Sequence, residues 1–406
     1  MAASWIIIFI GAVAGGVALV GLLALKRAAE PLMALLSLVG IALSVWGILE
    51  LTTADPRVRI VFLSIGFAGA AFAGGYGLGA ALLPLVVRRM PSIRLSTSAH
   101  AARPGIGVLV VACAEPTSYE PLVVSQEFDA LNESGQAEMP LGITPFLYAA
   151  HKARYRAAGG TSPAAPQAAR LTERVETLLK TDGRFERVQL VTCSAEDTLD
   201  VAVVELVASG IERMVVAAVG IGESYEIDHA KVLVDLLRPA QHGVRVVHTA
   251  PLWGSEVLAN ALANKIMAAA GSPETTGVAL VMTGQPEHRR KTHGAFDVQE
   301  NAFCSRVRLQ LVERGLFAPN VRTCSLEWRD PDITETVRHL AALGCDRILV
   351  SPACMPFETV TTRLDLLVAV QQARVDESVS VVTLQTWGQE PSAAEVIADA
   401  VREAAD

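Results

Sequence analysis

The chain has 406 residues, a formal net charge of −8, and 51% hydrophobic against 19% charged residues. That length and apolar bias predict a membrane part plus one large or two smaller soluble domains. Only Lys26, Arg27, Glu30, Glu50, Asp55, Arg57 and Arg59 are charged before residue 88, which leaves 30 basic and 39 acidic residues after it, a net −9. An acidic soluble part argues against nucleic acid as a partner, because neutralising phosphates needs a basic face.

Three apolar runs come first, Trp5–Leu25, Leu32–Leu49 and Ile60–Val87. Each is about the roughly 20 residues a helix needs to cross a bilayer. The first has no basic segment before it and no clear small-residue cleavage site, so residues 1–87 read as a retained three-helix anchor rather than a signal peptide. Lys26 and Arg27 between spans one and two, and Arg88, Arg89 and Arg94 after span three, fall on one side of such an anchor. The excess of basic residues places that side in the cytoplasm. The expectation is a multi-pass inner-membrane protein, N-terminus outside and soluble part inside, with Arg57 and Arg59 on the outer side. Span three carries Gly66, Gly69, Gly74, Gly75, Gly77 and Gly79. Small residues let helices approach closely, within this bundle or against a membrane-protein partner or second copy. No ionisable residue sits mid-span, which argues against a transport pathway.

Residues 88–104 are polar and bounded by prolines, as a linker is. From Gly105 short β-branched runs alternate with helix-like stretches. Strands are predicted at Gly107–Ala112, Arg187–Thr192, Arg213–Ala218, Arg245–Thr249, Val278–Thr283, Val321–Ser325, Arg347–Ser351 and Val379–Gln385. Helices are predicted at Gln167–Lys180, Leu199–Ser209, Ser255–Ala270, Val298–Arg314 and Ile333–Leu343. Near-continuous apolar strands separated by helices imply α/β architecture with parallel sheets covered on both faces. A repeat recurs at an offset of 134 residues: Gly210-Ile-Glu-Arg213 as Gly344-Cys-Asp-Arg347, and Trp253-Gly-Ser-Glu256 as Trp387-Gly-Gln-Glu390. The soluble part is therefore read as two similar doubly wound halves, 105–271 and 272–406, facing each other across a cleft at the strand ends. The six cysteines, Cys113, Cys193, Cys304, Cys324, Cys345 and Cys354, form no CxxC pair and read as reduced core thiols.

The strand ends carry the candidate chemistry: Ala112-Cys-Ala-Glu-Pro116, Ala218-Val-Gly-Ile-Gly-Glu-Ser-Tyr225, Thr283-Gly-Gln-Pro-Glu-His288 and Ser351-Pro-Ala-Cys-Met-Pro-Phe-Glu358. Gly220 and Gly222 do not complete GxGxxG, so dinucleotide binding finds little support. In Arg154-Tyr155-Arg-Ala-Ala-Gly159-Gly160-Thr-Ser162-Pro163 the glycines allow a tight turn, and Ser-Pro starts the next helix. This segment resembles the Arg-Tyr…Gly-Gly-x-Ser-Pro motif of the ferrochelatases, which insert ferrous iron into porphyrins. Glu327-Trp-Arg-Asp-Pro-Asp332 and Gly344–Pro352 agree in order and spacing with that family. The resemblance runs from about Gly105 to the C-terminus and implies a chelatase-like fold of two pseudo-symmetric halves. It further implies that Arg154, Tyr155, Gly159, Gly160 and Ser162 contribute to substrate binding.

The family's catalytic histidine lies in a Ser-Ala-His-x-x-Pro segment, which here reads Met282-Thr-Gly-Gln-Pro286 and puts Gly284 in its place. The family's distal glutamate aligns with Thr361, with Glu358 and Asp365 the nearest acids, and a tyrosine of some bacterial members aligns with Cys113. Metal insertion expels two protons, so losing both groups removes most of that activity unless others replace them. Replacements present are His288 or His293 as the base, Glu358 as the acid, and Cys113 as a soft metal ligand. Each also has a plainer reading. His288 and His293, with Arg289, Arg290 and Lys291, form a solvated loop that instead holds propionates. Cys113 is a small core residue, and Glu358 charges a helix N-terminus. Two functions follow as expectations. One is a membrane-anchored ferrochelatase-like protein binding a tetrapyrrole, iron or both, in heme biosynthesis. The other is an inactive chelatase-like scaffold or assembly subunit of a membrane complex.

Overall fold

The computed structural model describes residues 2–54, 57–87, 105–125, 128, 140–192 and 196–406. The expected linker at 88–104, with Arg88, Arg89 and Arg94, lies outside the described residues, as do Cys193 and the side chain of His288. Contacts divide the chain into two units: Met1–Met90 with Ser118–Gly160, and Pro91–Thr117 with Thr161–Asp406.

The first unit is built on α1 (Ala2–Ala24), α2 (Glu30–Ala54) and α3 (Val58–Val87), all long and apolar enough to cross a membrane. Helix α1 packs against both others through glycines. A Cβ on Gly11 would fall 2.6 Å from the Gly40 carbonyl, one on Gly16 2.3 Å from that of Phe72, and one on Gly75 2.3 Å from that of Val13. Of the small residues on the third span, Gly75 and Gly79 meet α1, while Gly66, Gly69, Gly74 and Gly77 face open space. The segment Ser118–Gly160, with α4 (Thr144–Ala157), belongs to the same unit. It satisfies the carbonyls that the end of α1 leaves unpaired. Tyr119 Oη donates to Ala24 O at 2.7 Å, and Lys152 Nζ donates to Leu22 O at 3.0 Å and Leu25 O at 2.8 Å. Lys152 also pairs with Glu30 at 2.7 Å.

The second unit holds two four-stranded parallel sheets of the same strand order. In the first half β1 (Ile106–Ala112), β2 (Phe185–Thr192), β3 (Arg213–Val219) and β4 (Arg245–His248) lie in the order β2-β1-β3-β4. They alternate with α5 (Ala164–Lys180), α6 (Glu196–Ala208), α7 (Tyr225–Leu236) and α8 (Glu256–Ala269). In the second half β5 (Thr276–Met282), β6 (Val321–Ser325), β7 (Arg347–Ser351) and β8 (Ser380–Thr383) lie in the order β6-β5-β7-β8. Their helices are α9 (Glu287–Arg290, one turn), α10 (Gly294–Glu313), α11 (Ile333–Ala342), α12 (Val360–Ala373) and α13 (Pro391–Ala405).

The two-residue period of a strand sends alternate side chains to opposite faces. Val108 and Val110 with Val215 and Ala217 enter a core shared by both halves, and Leu109 and Val111 with Met214 and Val216 enter a core private to the first. In the second half Val278 and Leu280 join the shared core while Ala279 and Val281 face a third one. Leu171, Leu262, Phe303 and Ile397, from α5, α8, α10 and α13, fill the shared core together with Trp387. The repeat is visible in the backbone. Gly210 and Gly344 both take positive φ, at 82° and 89°, where the preceding helix ends and β3 or β7 follows. The offset between halves is 170 residues at the first strands (Ile106, Thr276) and 134 at the third (Arg213, Arg347). The surplus in the first half lies between β1 and α5, where Ser118–Gly160 is inserted.

Candidate functional site

The carboxyl ends of β1, β3, β5 and β7 converge on a cavity of about 300 Å³. In each sheet the chain turns away in opposite directions between the middle strands, β1 and β3 or β5 and β7, the place where open α/β sheets bind ligands. After β1 comes Cys113. The turn after β3 supplies Gly220, Gly222, Ser224, Tyr225 and Glu226. The turn after β5 supplies Thr283, Gly284, Gln285 and Arg289, and α10 supplies Phe296 and Glu300. Glu327 and Trp328 follow β6, and Cys354–Phe357, Thr359, Thr361 and Thr362 follow β7.

Local chemistry sets these turns. A Cβ on Gly222 would meet the Phe296 ring at 2.9 Å, and the neighbouring Glu223 N–H donates to Gln299 Oε1 at 2.7 Å, so the β3 turn is clamped onto α10. Ser224 caps α7 by accepting from Ile227 N–H, and its Oγ lies 3.9 Å from Cys113 Sγ. Gly284 has φ +78°, and a Cβ there would fall 2.2 Å from the Glu327 carbonyl oxygen. Any side chain at this position, histidine included, meets backbone.

Directly behind this turn lies Glu300, 2% exposed. Its Oε1 accepts from Thr283 N–H at 3.2 Å and its Oε2 from Gly284 N–H at 3.3 Å. Burial outweighs those hydrogen bonds and raises its pKa to about 7, with the nearby Asp297 adding to the shift. Asp297 is itself held by Arg290 at 3.2 Å and Arg329 at 3.0 Å. Cys304 and Cys354 Sγ atoms are 3.7 Å apart, and burial keeps the Cys354 thiol protonated far beyond the usual range. At the rim Arg289 pairs with Glu226 and stands 4.6 Å from the Tyr225 ring centroid. Trp328, 64% exposed, donates its Nε1–H to Glu327 at 3.1 Å.

Residues 291–404 match the family model CbiX. The CbiX stretch starts just before α10 and ends in α13, so it contains Glu300, Trp328 and the turn after β7. Among solved structures, SirB from Bacillus subtilis with Fe3+ is 15% identical, covers 74% of this chain and 96% of its own, and has a TM-score of 0.45. The sirohydrochlorin chelatase SirB from Bacillus subtilis subspecies spizizenii in complex with cobalt is 10% identical, covers 74% and 95%, and has a TM-score of 0.40. No curated protein matches the chain. The chelatase character expected from the sequence thus meets a chelatase-like family match, and that match is to CbiX rather than to the ferrochelatases.

The structure distributes the residues singled out from the sequence. Cys113 and Gly284 line the cavity, as does Thr361. His293 stands behind the rim, edge-on to Tyr225 at 5.7 Å, with Nε2 3.3 Å from Asp228 Oδ2 and Nδ1 2.9 Å from Thr292 Oγ1. His288 belongs to α9, and its side chain lies outside the described residues. Glu358 is absent from the lining although Phe357 and Thr359 are part of it; its Oε1 accepts from Arg363 Nε at 2.8 Å. Ser162 Oγ accepts from Ala164 N–H at 3.2 Å at the start of α5 and donates to Glu115 Oε1 at 2.6 Å. The same Glu115 oxygen accepts from the Val360 N–H of α12, so Ser162 belongs to a link between the halves. Arg154, Tyr155, Gly159 and Gly160 fall in the first unit. There Tyr155 meets Tyr119 edge-on at 6.2 Å, and the two glycines, at φ 88° and 85°, end α4 with Gly160 N–H on Tyr155 O at 2.7 Å. Among the described residues no group of three or more His, Cys, Asp or Glu gathers closely enough to hold a metal.

Glu300, Trp328, Thr359 and Thr362 were not singled out as site residues, whereas Arg289 was read as part of a propionate-holding loop and Thr361 as standing at the distal glutamate's place. For Glu300 a signal existed. It stands in the apolar stripe Phe296, Phe303, Cys304, Val307, Leu311 of α10, where an acid at helical spacing is out of place.

Proposed function

We propose that this protein is a membrane-anchored, chelatase-type protein that binds a tetrapyrrole in the cavity at the strand ends and brings a divalent metal to it. One observation carries the reading: an open cavity where the strand ends of two halves of identical order meet, its surface more apolar than polar. The CbiX match over the second half supports the chemical class. Cys113, facing the cavity, is the proposed soft ligand for an incoming cation. His293, edge-on to Tyr225 at 5.7 Å, acts as a positioning residue through that ring. Arg289 at the rim suits a carboxylate of the macrocycle. Helices α1–α3 are proposed to hold the protein in the inner membrane with the second unit in the cytoplasm, which tethers the cavity to a phase into which apolar macrocycles partition.

The second reading is an inactive scaffold subunit, and Gly284 favours it, because its backbone leaves no room for the histidine of the ferrochelatase pattern. The test is absorbance titration of the full chain in detergent with sirohydrochlorin and with deuteroporphyrin, followed by anaerobic Fe2+ or Co2+. A Soret-region shift and conversion faster than the protein-free control support the chelatase. A shift without conversion supports a carrier, and no shift with either macrocycle refutes the reading in favour of the scaffold.

A further inference from the structure

We propose that Glu300 is the proton-accepting group of the cavity, taking the N–H protons that a tetrapyrrole gives up as a divalent cation enters. The inference rests on the function proposed above and assigns the step that its chemistry most needs. Insertion exchanges two pyrrole protons for one M2+, with no change of oxidation state. As each metal–nitrogen bond forms, the N–H electron pair stays on nitrogen and the proton passes to a Glu300 oxygen. It then goes to water before the second proton follows.

The geometry singles out this residue. Glu300 is 2% exposed yet lines the cavity. Its two oxygens accept from the Thr283 and Gly284 N–H groups, at 3.2 and 3.3 Å, and the Thr283 side chain adds a further hydrogen bond. Among the described residues no Lys, Arg or His pairs with it. The titratable groups facing it are Asp297 on its own helix, already paired with Arg290 and Arg329, and Cys354 from the β7 turn, whose Sγ lies 4.0 Å from Glu300 O. A carboxylate buried without a cation is costly to the fold, and such groups concentrate where proton transfer is needed. Its pKa of about 7 lets it take and release a proton near neutral pH. Gly284 also places it. The position that the ferrochelatase pattern fills with histidine is bare backbone here, and the amides of that turn point at Glu300, so the acceptor reaches the same end of β5 from helix α10 instead.

The experiment uses the full chain in detergent, wild type against Glu300→Gln and Glu300→Asp, with deuteroporphyrin and Co2+ as probes. Infrared difference spectra between pH 5 and 9 read the carboxyl directly. The expected result is a protonated-carboxyl band that titrates near pH 7 in the wild type and is lost in Glu300→Gln. Porphyrin affinity should stay within about twofold, while insertion falls by about 100-fold or more and the limb of its pH profile near 7 disappears. Glu300→Asp should retain that limb at a reduced rate. Binding together with undiminished insertion and an unchanged pH profile in Glu300→Gln overturns this proposal alone. Binding without insertion by the wild type also overturns it and leaves a carrier, and no binding by the wild type overturns the function reading with it.

Discussion

Restoring the histidine that the ferrochelatase pattern has at position 284 should damage this protein rather than activate it. Gly284 sits at φ +78°, a region that costs a residue with a Cβ on the order of 1–2 kcal/mol. That Cβ would also lie 2.2 Å from Glu327 O, about 1 Å inside ordinary contact. Glu327 has little freedom to withdraw. Leu326 N–H bonds Met282 O at 2.9 Å, and Ser325 N–H bonds Pro331 O at 3.1 Å, so the loop is pinned on both sides of Trp328. Forcing atoms into such a space costs roughly a further 1–3 kcal/mol. Gly284→His should therefore lose about 2–5 kcal/mol, a large share of the roughly 5–15 kcal/mol of a typical domain. Gly284→Ala should lose nearly as much, because the first carbon meets the obstacle. The assay is a denaturant titration of the full chain in detergent followed by tryptophan fluorescence, with metal insertion measured alongside. A Gly284→His variant with the wild-type midpoint, or one that gains insertion activity, would refute the reasoning.

Glu300 links stability to pH in the direction opposite to most carboxylates. Its pKa is about 7 in the folded chain against 4.5 for a solvated glutamate, so the folded chain binds the extra proton and stability declines as pH rises between those values, by about 3 kcal/mol in all. Midpoints measured from pH 4.5 to 8 should fall accordingly in the wild type and follow a flatter course in Glu300→Gln; parallel courses would contradict the burial argument. Cys113 is half-buried at the cavity while Cys304, Cys324, Cys345 and Cys354 are buried. In a Cys193→Ser background a maleimide should label one site, Cys113, and bound deuteroporphyrin should slow the labelling, as mass spectrometry of the peptides will show. Ser162→Ala removes both the acceptor for the Ala164 N–H and the bond to Glu115, and should lower stability by about 1–2 kcal/mol in the same titration.

Much of the architecture was legible in the chain. The strands at Val321–Ser325 and Arg347–Ser351 match their predicted bounds to the residue, and the other six differ by one or two residues at an end. Strands buried on both faces are runs of Val, Ile and Leu, a signal that needs no tertiary knowledge. The repeat was equally readable, because Gly210 and Gly344 do the same conformational task in both halves. Helices α4 and α7 were not anticipated, whereas α12 is the helix whose N-terminus Glu358 was expected to charge. The site was less legible than the fold. Gly159-Gly160 reads correctly as a turn, but a motif does not say what the turn adjoins, and here it closes α4 in the first unit. Glu300 went unremarked because its meaning depends on the amides of residues 283 and 284, about sixteen positions away and gathered only by folding.

The insertion of Ser118–Gly160 has a consequence for biosynthesis. The first unit is discontinuous in sequence, with β1 made between its two pieces. The apolar helices leave the ribosome before the insertion, and the end of α1 receives Lys152 and Tyr119 only after roughly a hundred further residues have been made. The bundle therefore waits, incomplete, while the first strand of the other unit already exists, and the two units must mature in an interleaved order. A protease cut between residues 88 and 104 of the finished protein would sever the chain without freeing the helices from the insertion. They would stay bound to it through the Tyr119 and Lys152 contacts, since the insertion remains joined to the other unit at both its ends.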